Sequence, residues 1–221
     1  MGAADLLSSL TSRKPIDLVI DVGAHRGQTG AALRATGYTG RLLSFEPFPD
    51  AYNQLATQAA HDPAWHVRQQ ALGAEDGTAT LHVTRNSASS SILRPTAWAR
   101  DAIRALAPEG ERVVTLARLD SVFHEFAAEA GCVLLKIDSQ GSERAILAGA
   151  EAVLPRIPFV VMEVSLVELY AGETLLAQML DVMSDYGYRL IDLSPAFRHR
   201  ETGDLLQVDA AFARTDRDGL P

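Results

Sequence analysis

Lys136 and Asp138 close an apolar run in the stretch LLKIDSQGSE, residues 134 to 143. In an extended chain, residues two apart share a face, and a charge placed among buried side chains is costly unless it is paired. The next apolar run, FVVMEV, carries a second acid, Glu163. A carboxylate at the carboxyl end of a buried strand suits two tasks: accepting the proton of a hydroxyl nucleophile, or receiving a cationic group of a ligand. Asp138 is the first candidate for this chemistry and Glu163 the second. Lys136 is the cation that would pair with either acid and set its charge. Glu143 fits a structural task in the first turn of the following helix. Asp138 and Glu163 together could also hold a hard divalent cation. No HExxH, Cys/His cluster or EF-hand loop accompanies them, so a divalent metal has no further support in the sequence.

The second chemistry-bearing stretch is IDVGAHRGQTG, residues 20 to 30. Asp21 precedes a turn built from Gly23, Ala24, His25 and Gly27. A dinucleotide fingerprint requires G-x-G-x-x-G, and His25 fills its second glycine position, which argues against a nicotinamide oxidoreductase. The acid also argues against a pyrophosphate, which it would repel, and suits the ammonium of an amino-acid moiety. D-x-G-x-x-x-G matches an S-adenosylmethionine loop better. Glu46 ends the next strand, LLSFE, where a carboxylate can accept both hydroxyls of a ribose; the alternative is that it caps the helix that follows. His25 has a low claim on catalysis and a better one on filling space beside a cofactor.

The elements that must position these residues show in the hydrophobic period. Strand-length apolar bursts at Leu18 to Val22, Arg41 to Phe45, Trp65 to Gln70, Val133 to Ile137 and Phe159 to Val164 alternate with segments of helical period. Asp120 is expected to cap a helix bearing Val122, Phe123, Phe126 and Ala130, closed by Gly131. Tyr188 to Leu193 and Leu206 to Phe212 follow the last helix as two strands, which suggests an antiparallel hairpin added at a sheet edge. Near-continuous apolar strands separated by helices specify a doubly wound, mostly parallel α/β sheet covered on both faces. Ligands bind such sheets beyond the carboxyl ends of the strands. Residues 78–116 break the rhythm and are expected to form a cap or lid within one domain, preceded by an N-terminal extension over 1–14.

With 20 basic and 28 acidic residues, the net charge of −8 argues against nucleic-acid binding as the main task. The arginines of 100–112 and 198–200 are interspersed and read as surface. Cys132 is the only cysteine, which excludes an intrachain disulfide and suits a reducing, cytoplasmic compartment; it reads as a small core residue. The first ten residues lack the features of a secretory signal, and no apolar run has the length of a membrane span.

Taken in order, the first turn, FEP, ALGAEDGTATLHV, SASSS, LLKIDSQGSERAILAGAE, MEVS, LY, GY and VDAAF resemble the FkbM family of S-adenosylmethionine-dependent methyltransferases, from about Ile16 to Phe212. The resemblance implies a class I, Rossmann-like methyltransferase fold of seven strands with the last antiparallel. It implies methyl transfer, usually to oxygen, on a small hydroxylated acceptor such as a sugar, a polyketide or a glycosylated metabolite. It also draws Leu72 and Ser90 into the candidate cofactor site; composition alone makes NSASSS a solvated loop. Two positions depart from the family: Asn is common where His25 stands, and a larger apolar residue where Ser139 or Ser142 stands. Both changes bear on the acceptor pocket. A non-catalytic S-adenosylmethionine-binding module and an N-methyltransferase are the alternatives, and the sequence leaves a homo-oligomer open.

Overall fold

The computed structural model describes residues 3–127 and 129–215; of the N-terminal extension, residues 1 and 2 lie outside the described residues. The main sheet has seven strands: β1 (Leu18–Val22), β2 (Arg41–Phe45), β3 (Trp65–Arg68), β7 (Val133–Ile137), β8 (Phe159–Ser165), β9 (Tyr188–Arg198) and β10 (Leu205–Arg214). Their spatial order is β3-β2-β1-β7-β8-β10-β9. The first five are mutually parallel, and β10 runs antiparallel to both its neighbours, β8 and β9. The expected closing hairpin is present, with its second strand inserted inside the first.

Both faces of the sheet are covered at its centre, where β1, β2, β7 and β8 are buried at nearly every position, while the edge strands β3 and β9 are partly exposed. Leu18, Ile20, Val133, Leu135, Val160 and Met162 pack on one face against α5 (Leu119–Ala127), α6 (Glu143–Ala148) and α7 (Leu176–Asp185). The intervening residues Val19, Leu42, Leu134 and Val161 pack on the other, against α1 (Ala3–Arg13), α2 (Gln28–Ala35) and α3 (Pro49–Ala59). Burying one such aliphatic side chain is worth roughly 1.5–3 kcal/mol, so period-two alternation fixes which strand residues face which helices. Cys132 is half-buried beside the second cluster.

The expected cap section contains a second sheet of order β4-β6-β5, from β4 (Ala71–Leu72), β5 (Gly77–Thr84) and β6 (Pro108–Ala117). The apolar run expected to end at Gln70 leaves the main sheet after Arg68, and Ala71 and Leu72 pair instead with Leu116 and Ala117. Between β5 and β6 lie a 3-10 turn at Ser87–Ser89 and α4 (Ala97–Ala102). Asp120 does not cap its helix. It lies inside the first turn of α5, and its carboxylate accepts hydrogen bonds from the Val153 N–H at 3.2 Å and from Arg118 at 2.6 Å.

Candidate active site

The strand order reverses between β1 and β7, and the candidate residues gather at that switch point. The register makes the gathering specific. Asp21 on β1 lies directly beside Lys136 on β7, and Glu163 on β8 beside Asp209 on β10. Lys136 Nζ stands 2.9 Å from Asp21 Oδ1 and 3.6 Å from Asp138 Oδ2, and donates to the Gly23 carbonyl at 3.2 Å. The Asp21 contact is an ion pair by distance, although neither Asp21 oxygen meets hydrogen-bond geometry. Burial alone would strip the proton from Lys136, but the carboxylates of Asp21 and Asp138 outweigh it and hold the ammonium more firmly charged than in water. The principal partner of Lys136 is therefore Asp21, rather than the Asp138 or Glu163 expected from spacing.

Two cavities open over the strand tips. The first, of about 580 Å³, is bounded by Gly23, His25, Glu46, Phe48, Leu72 and Ser90, among others, with Asp138 at one end. The second, of about 700 Å³, has Asp138, Gln140, Glu163 and Tyr170 on its floor and an apolar wall that includes Ile103, Leu106, Leu169 and Phe197. Asp138 lines both. Of the residues expected to meet a cofactor, Gly23, His25, Glu46, Leu72 and Ser90 line the first cavity, whereas Asp21, Ala24 and Gly27 do not. Asp21 is 1% exposed, and its carboxylate faces the chain's own ammonium. Ala24 is buried in the second core cluster. Gly27 has φ +91°, and a Cβ on it would fall 2.9 Å from Gln58 and 3.1 Å from Leu55, so its backbone angle and packing account for that glycine without a ligand. Lys136 lines neither cavity.

Gly23 has a stricter reason. Its φ is +74°, and a Cβ there would stand 1.8 Å from the Asp138 carbonyl oxygen. Only glycine lets the β1 turn press against the end of β7. Beside it, Glu46 is buried, and its two carboxylate oxygens accept the N–H groups of His25 and Phe48, each at 2.8 Å. Phe48 is the N-cap residue of α3, so Glu46 both ties down that helix start and faces the cavity. Burial raises its pKa to about 7, against the opposing pull of the two N–H donors.

The NSASSS segment is built into the site. Ser87 Oγ is 2.8 Å from His25 Nε2, Ser90 Oγ accepts the Thr84 N–H at 3.2 Å, and Ser91 Oγ donates to the Gln140 carbonyl at 2.6 Å. Burial, with Arg26 adding to it, lowers the pKa of His25, which favours a neutral ring. Glu143 turns back on its own loop: its Oε1 accepts from the Ser139 N–H, the Ser139 hydroxyl and the Gly141 N–H at 3.0–3.2 Å. Its pKa rises to about 7 through burial. Sequence reasoning missed Gln140, whose Nε2 reaches Asp138 Oδ1 at 2.8 Å and Glu163 Oε2 at 2.6 Å. It also passed over Glu173, which accepts the Tyr170 N–H and the Ser165 hydroxyl and so anchors the loop carrying Tyr170.

Solved structures share this arrangement at the level of fold. A tRNA (m1A22) methyltransferase assigned in Streptococcus pneumoniae, in complex with S-adenosyl-L-methionine, superposes with a TM-score of 0.53 over 97% of this chain and 74% of that one, at 13% identity. The 1,6-didemethyltoxoflavin-N1-methyltransferase of Burkholderia thailandensis gives 0.52 over 97% and 77%, also at 13%. The fold is that of the class I methyltransferases. Residues 21–190 match the family described as the methyltransferase FkbM domain, and the chain belongs to that family. Among curated proteins it is 35% identical to the 31-O-demethyl-FK506 methyltransferase FkbM of Streptomyces tacrolimicus, over 72% of this chain and 70% of that protein. It is 24% identical to the 2-O-methyltransferase NoeI of Sinorhizobium fredii, over 87% and 79%. No helix among the described residues is long and apolar enough to cross a membrane.

Proposed function

We propose that the protein transfers a methyl group from S-adenosylmethionine to a hydroxyl of a small, uncharged acceptor such as a sugar or polyketide, with the cofactor in the first cavity and the acceptor in the second. The observation that carries this reading is the position of Asp138, the one acid bordering both cavities. The first cavity suits a nucleoside. Glu46 offers a carboxylate at one wall, Phe48, Leu72 and Ile146 offer apolar surface, and the buried Ser142 hydroxyl has no protein partner. Both curated relatives are named for methylation at oxygen, which supports oxygen as the accepting atom.

When bound, the cofactor supplies a methyl on a cationic sulfur, a leaving group good enough that the C–S bond breaks without acid assistance and its electron pair stays on sulfur. What remains for the protein is alignment and the acceptor proton. Asp138, with the Lys136 ammonium 3.6 Å away, takes that proton as the new O–C bond forms. The Lys136–Asp21 pair fixes that ammonium in place. His25, bridged to Ser87, closes the first cavity against the cap section. Calorimetry with S-adenosylhomocysteine, followed by transfer of labelled methyl from S-adenosylmethionine to hydroxylated acceptors, tests the proposal. A folded protein that gives no binding heat removes the cofactor assignment, and binding without transfer to any acceptor removes the enzymatic one.

A further inference from the structure

Gln140 sits between β7 and α6 with φ +56°, in the left-handed region that side-chain-bearing residues seldom occupy. Such a conformation is strained and persists where its surroundings hold it. Here the Ser91 hydroxyl from the cap section donates to its carbonyl at 2.6 Å. The Tyr170 hydroxyl stands 3.0 Å from Oε1 and 2.8 Å from the Ser89 carbonyl, so its single proton is divided between them. With Oε1 so occupied, Nε2 faces the two acids and spends one hydrogen on each.

The charges around those acids are uneven. Lys136 is 3.6 Å from Asp138, with no such contact to Glu163. Glu163 faces Asp138 and Lys136 from β7, Glu143 from α6, Asp209 from β10 and the Tyr170 phenol from the loop after β8. Burial first, and then the Asp138 charge, favour its neutral form, while the bond from Gln140 opposes them. Two carboxylates linked through one nitrogen, with one ammonium beside only the first, do not both ionise readily.

We propose that Gln140 is a positioning residue that holds Asp138 and Glu163 side by side through one hydrogen each, while Lys136, beside Asp138, makes the pair unequal, so that the second cavity offers a proton acceptor in Asp138 and a proton donor in Glu163. For its use, this inference rests on the reading of that cavity as the acceptor site. The acceptor that fits has two neighbouring oxygens: a hydroxyl whose proton passes to Asp138 as the methyl arrives, and a second oxygen that accepts from the Glu163 carboxyl, whose own proton stays in place. A vicinal diol or hydroxy-ether on an apolar frame has this form. A phosphate or carboxylate ester-linked beside the hydroxyl would meet the Asp138 charge and be rejected.

The pair can be read without knowing the acceptor. Infrared titration of the full chain follows the carbonyl stretch of protonated carboxyl groups, and subtracting the spectrum of Glu163→Gln cancels Glu46 and Glu143. The expected result is a protonated Glu163 signal at neutral pH. Asp138→Asn should move its loss to lower pH, because the neighbouring anion is gone. Gln140→Leu should move it to higher pH by a roughly tenfold change in proton affinity, about one pH unit. If that variant does not fold, Gln140→Asn, which tolerates a left-handed backbone but is too short to span both acids, should give the same direction. Absence of the signal at neutral pH, or a titration unmoved in the Gln140 variants, overturns the proposal. Calorimetry of the wild type with S-adenosylhomocysteine tests the methyltransferase reading separately, since the carboxyl pair can fail while that binding stands.

Discussion

Replacing Glu46 with Gln separates the two roles this residue has in the structure. The carboxylate accepts two backbone N–H groups at 2.8 Å each. An amide offers one oxygen, so one N–H is left facing an NH2, and an unsatisfied buried donor costs about 1–3 kcal/mol. Against this, the variant no longer buries a charge. The shift of the Glu46 pKa from 4.5 to about 7 corresponds to about 3 kcal/mol of penalty on the ionised form above neutral pH. The two effects nearly cancel, and the melting temperature at pH 8 should change little. Ligand binding has no such compensation. Losing one charge-assisted hydrogen bond to a ribose hydroxyl costs about 1.5–3 kcal/mol, a factor of roughly 10 to 150 in the dissociation constant. Calorimetry with S-adenosylhomocysteine should show this loss beside a near-normal denaturation curve. In the wild type, affinity should strengthen as pH rises through about 7, where Glu46 ionises, and that dependence should disappear in Glu46→Gln. Equal affinities of the two proteins, or a pH dependence that survives the substitution, would refute the ribose assignment.

Asp138→Asn should lower turnover by about 10² to 10⁴, the usual worth of a general base, while S-adenosylhomocysteine affinity stays within a few-fold; undiminished turnover would retire Asp138 as the base. Gly23→Ala places a methyl 1.8 Å from a backbone oxygen at φ +74°, and should abolish cofactor binding or lower the denaturation midpoint, with a normal protein on both counts ruling out the close approach. Glu46 and Glu143 hold protons more tightly folded than unfolded, so the stability they confer is complete below pH 4.5 and lost as pH rises through about 7. Urea titrations should therefore show a downward step in that interval that is smaller in Glu143→Gln. Activity should survive excess chelator, because the two nearest acids are engaged by the Gln140 amide and no cluster of three metal-ligating side chains occurs among the described residues.

The parallel strands and the glycines that follow them were legible because burial on both faces leaves a continuous apolar signature. Pro108–Ala117 was only partly legible: its middle, Glu109 to Arg112, is exposed and polar, and Val113 is 76% exposed, so alternation carries no signal there. In the site, period two placed Lys136 with Asp138, but the nearer partner, Asp21, comes from a parallel register between strands more than a hundred residues apart, which no local spacing encodes. Asp120 looked like a cap because an acid before a helix usually is one; its oxygens are instead taken by a distant turn. Gln140 was invisible for a different reason. A neutral residue in a turn announces no chemistry, and its importance lies in a backbone angle and two hydrogen bonds that exist only once three segments meet.

The place of β10 has a consequence for how the molecule is assembled. As the last of the seven strands to be synthesised, it must slot between two that precede it, and β9 has no other neighbour in the sheet. Until β10 is in place, β8 has an open flank and β9 lacks its strand partner, so the right half of the sheet is incomplete. Asp209, riding on β10, then reaches Glu163 only in this final event. The acid cluster beneath the second cavity is thus completed by the same strand that completes the sheet, and a chain stalled short of β10 would leave the β8 edge unpaired and that cluster unfinished together.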